Sequence, residues 1–467
     1  MVSVNTCPWP PRRMNKTVNL EETPYCPDSC ELFEAIRALP GAAFLDSSYP
    51  HATSGRYDIL CAEPTATVAA PGSSAGEARW RDYFSELARF HREHYGMVQP
   101  ASHDIPFCGG LLGVVGYDCG NALNHVESAP APTTYSAPAL GAYDWAIVQD
   151  HLLQRSVLVA QPSVSATRRG DILARLRARK FTPDKPFVLD NDFSSNFSEE
   201  QYKQAFEKIQ AYIHAGDCYQ VNLAQRFSTS YSGSPWQAYR QLRTVAAAPF
   251  SAYLTADNGD AVMSLSPERF LSLHGHHVQT APIKGTRPRY QDSVTDQLAA
   301  DELRRSTKDR AENLMIVDLL RNDLGRSCVP GSIHVDALFE VQSFPTVHHL
   351  VSTISGELNP QRSAYELLRD SFPGGSITGA PKRRSMEIIA ELEPHAREVY
   401  CGSVMYVSAD GRMDSNIAIR TLLCTSGEVR CWGGGGIVAD SQWRQEYQET
   451  FDKVGKFLSA LEAMKST

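Results

Sequence analysis

The sequence predicts an α+β fold in which antiparallel β-sheets are sandwiched between helices. Short apolar runs bounded by Ser, Gly and Pro recur through both halves of the chain, and each reads as a strand. Longer stretches with apolar residues three or four apart lie among them and read as amphipathic helices. Most of the strands follow one another without a helical crossover, which favours antiparallel pairing over a parallel sheet.

The elements follow in order. Residues 29–39 are expected to be a helix, with Ser29 as N-cap, Leu32, Ile36 and Leu39 on one stripe, and Pro40-Gly41 ending it. Strands are expected at 42–46, 57–61 and 65–70, and a helix at 77–95. The Gly-rich apolar run Phe107 to Tyr117 reads as a buried strand with close backbone approach. Residues 141–149 and 152–160 alternate as an antiparallel hairpin. Ser198 and Gln201 form a capping box ahead of Tyr202, Phe206, Ile209 and Ile213 at helical spacing, and Gly216 stops that helix. Strands are expected at 218–227, 251–256, 261–266, 269–273 and 277–281. A helix from Ser306 to Asp323 should turn Leu314, Val317 and Leu320 or Ile316 to a core.

The expected organisation is a disordered tail over 1–20 (with Met14 as an alternative start to Met1), an N-terminal region over 21–180, a polar, Pro-containing linker over 181–198 and a second region over 199–467. The 467 residues carry 45 basic and 53 acidic side chains, a net charge of −8, with no basic tract. Nucleic acid is therefore an unexpected partner, and an anionic substrate needs a local cationic pocket or a metal. The 11 cysteines are scattered singly, and the closest pair, Cys26 and Cys30, lacks zinc-site spacing. Single thiols suit a reducing cytoplasm. No secretory signal or membrane-length apolar run is present.

Several residues carry candidate chemistry. Lys284 stands in Pro282-Ile283-Lys284-Gly285-Thr286-Arg287, between a Pro and a Gly that mark a tight backbone. A lysine at the edge of an apolar core has a depressed pKa and can act as a neutral nucleophile; a surface charge in a turn is the plain alternative. Asp309 and Glu312 lie three apart on one helix, as do Glu446 and Glu449 on another. Four such carboxylates can converge on a hard cation, or they can be two solvated faces paired with Lys308 and Lys453. The run from Pro373 to Lys382, PGGSITGAPK, has the glycine spacing of a phosphate loop, but Ala380-Pro381 stands where Lys-Ser/Thr is required. A Gly-rich turn holding a carboxylate fits better. Gly433 to Gly436 permits close backbone approach to a ligand. Arg420 follows the alternating Ile417-Ala418-Ile419, as on a strand presenting a guanidinium inward. Glu268 could be a buried acid or an ion-pair partner of adjacent Arg269.

These motifs, with Ser264 to Phe270, Lys308 to Met315, Arg321-Asn322-Asp323 and His348 to Ser352, resemble in order those of the chorismate-utilising enzymes. That family includes anthranilate synthase component I and the isochorismate and salicylate synthases. The resemblance is strong over about 195–456 and weaker over about 30–160, and it implies an anthranilate-synthase-component-I-like fold. Lysine in PIKG resembles the branch that aminates chorismate at C4; anthranilate synthases usually carry Ala there.

The resemblance implies roles residue by residue. Lys284 and Glu268 match the catalytic pair. Gly285, Thr286, His349, Ser376, Tyr400, Arg420, Gly434, Gly435, Gly436 and Lys453 match substrate contacts. Glu312 and Glu449 match direct Mg2+ ligands, and Asp309 and Glu446 the outer pair, Asp309 being shorter than the usual Glu. Leu45-Asp46-Ser47-Ser48, Arg56, Tyr57, Pro249, Phe250 and Ser251 resemble the family's tryptophan site, with Asp46 replacing a Glu. The expected substrates are chorismate and ammonia. No glutaminase segment with its own nucleophile cysteine is seen, so ammonia is expected from solution or from a glutamine amidotransferase subunit. The rivals are an isochorismate- or anthranilate-synthase-type enzyme and a non-catalytic tryptophan- or chorismate-binding regulatory subunit.

Overall fold

The computed structural model describes residues 16–465 apart from 53–54, 73, 97, 100–103, 128–139, 179–182 and 345–346. Two large sheets form its centre. Every pairing within them is antiparallel, as the uninterrupted succession of strands predicts. The larger sheet runs from Val188–Leu189 through Gln220–Ser232, Glu428–Ile437, Thr421–Thr425 and Ala261–Ser266. It continues through Phe250–Thr255, Ala43–Asp46, Tyr57–Cys61, Trp145–Asp150 and Arg155–Ala160 to Asn19–Thr23. The second sheet starts at Ile283–Pro288 and passes through Val347–Glu357, His277–Thr280, Arg269–His274, Met413–Asn416, Ser403–Ser408 and Gly110–Val115.

Strand alternation explains the layering. In Tyr57–Cys61, Ile59 and Cys61 join a core shared by both sheets, while Leu60 points to the other face. On that other face Phe33, Phe44, Trp236 and Tyr253 pack under the helices Ser29–Glu34 and Pro235–Ala246, with ring centroids 5.0–6.4 Å apart. The helix Glu77–Tyr95 contributes Trp80, Phe84 and Leu87 to the shared core. The helix Glu199–Ala215 starts with the expected Ser198–Gln201 capping box and ends at left-handed Gly216.

Several expectations need correction. Asn19–Thr23 pairs with Arg155–Ala160, so the expected tail over 1–20 does not extend that far; residues 1–15 lie outside the described residues. The expected linker carries two short strands, Val188–Leu189 and Ser194–Ser195, both paired with Gln220–Ser232. The large sheet draws strands from both sides of that boundary, because Ala43–Asp46 pairs with Phe250–Thr255. The first helix is capped by Asp28, whose carboxylate accepts from the Cys30 amide, and it spans only Ser29–Glu34. In the helix Thr307–Gly325, Leu314 is 46% exposed; Asn313, Ile316, Val317, Leu320 and Leu324 face inward. A buried asparagine at Asn313 shifts the stripe by one position.

One buried ion pair ties the halves together. Asp46 and Arg243 are each 2% exposed. Arg243 Nε and Nη2 donate to the Asp46 carboxylate at 2.9 and 3.0 Å, and Tyr239 Oη donates at 2.8 Å. Removing one partner of such a pair leaves a desolvated charge. Arg243→Met should therefore lower stability by about 3 kcal/mol or more. A urea midpoint unchanged from wild type would refute that role.

Candidate active site

The site forms where the two sheets approach, and backbone rather than side chain brings its walls close. Lys284 lies on the strand Ile283–Pro288, whose register against Val347–Glu357 shifts between Ile283 and Thr286. Gly285, at φ +80°, makes that bulge possible; a Cβ there would lie 2.8 Å from Leu303 Cδ1 and 2.9 Å from Asp309 Cγ. The bulge turns Lys284 inward, and its Nζ donates to the Ser376 carbonyl at 2.9 Å. The PGGSITGAPK segment is a short 3-10 turn, Gly375–Ile377, seated on Leu319. Lysine and turn thus meet as a contact pair.

Glu268 is 5% exposed and faces Lys284, with the Ser376 hydroxyl and the Ile283 amide donating to its carboxyl. Burial pushes Glu268 above the usual carboxylate range, against the opposing pull of Lys284. Burial likewise pushes Lys284 below its ordinary value, although Glu268, Glu312 and Glu449 pull the other way. The alternative partner, Arg269, is held elsewhere: it bonds Asp414 at 2.9 Å and lies over the Phe250 ring at 5.0 Å.

The remaining contacts gather around this pair. Thr286 Oγ1 and His349 Nδ1 are 2.9 Å apart, and burial beside Arg420 lowers the His349 imidazole to about 4, so it is neutral near pH 7. His348 is a different kind of residue, bonded to Asp296 and Ser343. Tyr400 is 3% exposed and stacks on Trp432, centroids 6.0 Å apart at 4°. Arg420 is half-buried, and desolvation lowers its guanidinium against the opposing pull of Glu268; it sits in a corner at φ +51° between the strands Met413–Asn416 and Thr421–Thr425 rather than on the expected strand. The Gly433–Gly436 run lies in the second half of the strand Glu428–Ile437. Its lack of side chains admits neighbours on both faces. Lys453 Nζ donates to Gly434 O at 2.8 Å, and a Cβ on Gly435 would lie 3.0 Å from Glu446 Oε2 and 3.4 Å from Glu449 Oε1.

The acidic set provides oxygen donors only, which suits a hard cation. Burial pushes Glu312 and Glu446 up, and Glu449 adds to this in both. Burial acts on Glu449 too, but Lys453, 2.6 Å away, outweighs it and holds this carboxyl low. Asp309 bonds Arg287 at 3.2 Å, Glu446 accepts from Ser441 at 2.7 Å, and Lys308 stands 4.0 Å from Glu312. No three described groups converge closely enough to enclose an ion in this arrangement. Glu312 and Glu446, which burial and Glu449 both disfavour in their charged form, and Glu449 leaning on Lys453 fit a cation that would take over those contacts.

A separate cavity of about 340 Å³ is lined by Ser47, Arg56, Tyr57, Pro249, Phe250 and Ser251 together with Met405, Tyr406 and Arg269. The two serines are already engaged: Ser47 donates to Asp58 at 2.7 Å and Ser251 to Ala248 O at 2.8 Å. Arg56 bonds Asp150 at 2.8 Å and covers Tyr57 at 4.5 Å. Asp46 contributes to the wall while its carboxylate is taken by Arg243 behind it.

Three residues went unread in the sequence. Gln220 is fully buried against Gly436, and neither atom of its amide has a partner among the described residues. Lys382 closes the base of the turn by bonding Asp323 at 2.7 Å and Ser371 O at 2.9 Å; in the sequence it is only the last residue of PGGSITGAPK. Arg397 offered no pattern, since it lies in a polar, proline-broken run. Because the bulge is what aims Lys284, Gly285→Ala should cost about 1–3 kcal/mol of stability. Urea denaturation checks this, and a wild-type midpoint would show that the bulge tolerates a side chain.

Comparison with known proteins places this geometry. The chain matches the chorismate binding enzyme family over residues 42–459. It is 47% identical over 437 residues to aminodeoxychorismate synthase component 1 of Escherichia coli (strain K12), covering 92% of this chain and 95% of that one. The Klebsiella aerogenes protein of the same name is 47% identical over 448 residues, 94% of this chain and 98% of its own. Among solved structures, anthranilate synthase component I from Streptococcus pneumoniae TIGR4 superposes with a TM-score of 0.74 at 29% identity, covering 87% of this chain and 92% of that chain.

Proposed function

From the chain's membership of the chorismate-binding enzyme family, we infer that it aminates chorismate at C4, giving 4-amino-4-deoxychorismate, the precursor of p-aminobenzoate and folate. The observation that carries the reading is the facing pair: half-buried Lys284 with its amine pushed toward neutrality and buried Glu268 with its carboxyl pushed toward the acid form. One group can attack while the other protonates a leaving hydroxyl, and both are needed when the leaving group is as poor as hydroxide.

The steps balance as follows. Lys284 Nζ bonds to C2 of chorismate, the ring double bonds shift, and the C4–O bond breaks as Glu268 gives its proton to the oxygen, releasing water. Ammonia then bonds to C4, the double bonds shift back, and the C2–N bond breaks to free Lys284. The proton lost by ammonia returns to Glu268. Arg420, with Ser376, Tyr400 and the side-chain-free backbone of Gly434, Gly435 and Gly436, would hold the two substrate carboxylates. Gly285, Thr286 and His349 would line the ring beside the lysine.

Glu312 and Glu449 would hold Mg2+, with Asp309 and Glu446 in its outer shell and Lys453 released from Glu449. When bound, the ion polarises the ring carboxylate so that C2 accepts electron density more readily. Ammonia would come from a glutamine amidotransferase partner. The cavity at Ser47, Tyr57 and Phe250 has aromatic and proline walls with polar ends, which suits tryptophan. No helix among the described residues is long and apolar enough to cross a membrane, in keeping with a cytoplasmic enzyme.

The experiment is incubation with chorismate, Mg2+ and ammonium at alkaline pH, with products resolved by chromatography and mass. A 4-amino product is expected; isochorismate, anthranilate or no turnover would each select a rival reading. Lys284→Ala should lose most C4 amination and yield some C2-amino product, since C2 is then open to ammonia. An adduct mass on the Lys284 peptide is expected from wild type given chorismate alone. An unchanged rate and product in Lys284→Ala would remove the nucleophile role. EDTA or Glu312→Gln should abolish turnover, because an amide cannot replace a coordinating charge; full activity in either would exclude the metal. Added tryptophan should raise the melting temperature through binding to the native state. Failing that, stoichiometric release on denaturation would show it already bound, and neither effect would leave the cavity without this ligand.

A further inference from the structure

The turn that meets Lys284 is braced from within by Thr378, whose hydroxyl donates to Gly374 O at 3.1 Å. It is held from behind by Arg397, which is 1% exposed. Arg397 Nη1 donates to Ile377 O at 3.0 Å, one residue beyond the Ser376 carbonyl that accepts from Lys284. Its Nη2 donates to Asn222 O at 2.8 Å, on the strand residue that pairs with Gly436. Nε and Nη2 grip the Glu393 carboxylate at 2.9 and 2.7 Å. The guanidinium also lies against two rings, Tyr117 at 4.8 Å and Tyr400 at 5.7 Å. Glu393 Oε1 in turn accepts from the Ala224 amide at 2.9 Å. A single planar fork therefore fixes the turn, the strand opposite the glycine run and the Tyr400 ring relative to one another.

We propose that Arg397 is a positioning residue for Lys284, setting the Ser376 carbonyl and the Tyr400 ring at the places where the lysine and the substrate meet them. The proposal rests on the C4-amination reading for its kinetic test but not for its geometry. A lysine at this position keeps a cation for Glu393 but cannot also reach Ile377 O and Asn222 O in one plane.

Arg397→Lys should therefore fold, and its kcat should fall about tenfold or more while KM for chorismate stays within about threefold, since misplacement of the reacting amine costs rate more than binding. Arg243→Met, which alters a comparably buried arginine bonded to Asp46, should lose stability and keep kcat within about twofold. Glu393→Gln is the second variant, should Arg397→Lys fail to fold; with half the grip gone, kcat should fall about threefold or more. The third readout needs no turnover. Pulse acylation of the whole enzyme, mapped by mass, should label Lys284 about threefold faster or more in Arg397→Lys, because the Ser376 carbonyl no longer holds Nζ. Folded Arg397→Lys or Glu393→Gln with wild-type kcat, or a kcat loss that Arg243→Met shares, would overturn the proposal. If wild type aminates nothing, the C4 reading fails by itself, and unchanged Lys284 labelling would then overturn the positioning role independently.

Discussion

An amine enclosed by carboxylates is neutral only while the cost of desolvating its charged form exceeds their attraction. Lys284 stands on that balance. Burial pushes its proton off; Glu268, Glu312 and Glu449 pull it back, and Lys453 opposes them. The same burial favours the protonated form of Glu268. Water removal therefore prepares both members of the pair at once, in opposite senses, and neither would be prepared in an open cleft. In the proposed reaction Glu312 and Glu449, if they held a cation, would pull less on the lysine.

Keeping such a site dry requires close walls, and the chain obtains them from backbone. The bulge at Gly285, the 3-10 turn Gly375–Ile377 and the glycine-filled second half of Glu428–Ile437 all remove side chains where two surfaces must approach. These segments have little apolar surface of their own to hold them. Buried charged anchors do so instead: Lys382 with Asp323 at the base of the turn, and Arg397 with Glu393 behind it. Such pairs contribute little net stability, but their directionality fixes relative position.

Much of this was legible in the sequence, for identifiable reasons. Strands such as Tyr57–Cys61 and Ala261–Ser266, and the helix Glu77–Tyr95, were readable to the residue because periodicity and terminal signals agreed. Lys284, Glu268, Ser376, Thr286 and His349 stand in motifs whose order points to one family, and the structure brings them together. What failed was anything set by long-range pairing. A four-glycine run gives no strand signal until Gln220–Ser232 pairs along it, and a polar stretch such as 188–195 looks like a linker until the same strand pairs with it. Arg397 was invisible because a polar residue in a polar-looking run gives no sign that it is buried, and Gln220 because a glutamine in a strand gives no sign that its amide goes unpartnered among the described residues.

The alternation of one short segment explains why Glu268 is free to act at all. Glu268 and Arg269 are neighbours in sequence, and an ion pair between them is the simplest expectation. Successive residues of an extended chain point to opposite sides. Arg269 consequently faces the cavity lined by Phe250 and Tyr406, where Asp414, across the sheet, takes its charge with two bonds at 3.0 and 2.9 Å. Glu268 faces Lys284 with neutral donors from Ser376 and Ile283 instead of a guanidinium. Had Arg269 remained its partner, the carboxyl would be held in its charged form and could not deliver a proton. In the proposed reaction Asp414 would thus serve Glu268 by occupying its rival, and the cavity and the site are two sides of the same turn of chain.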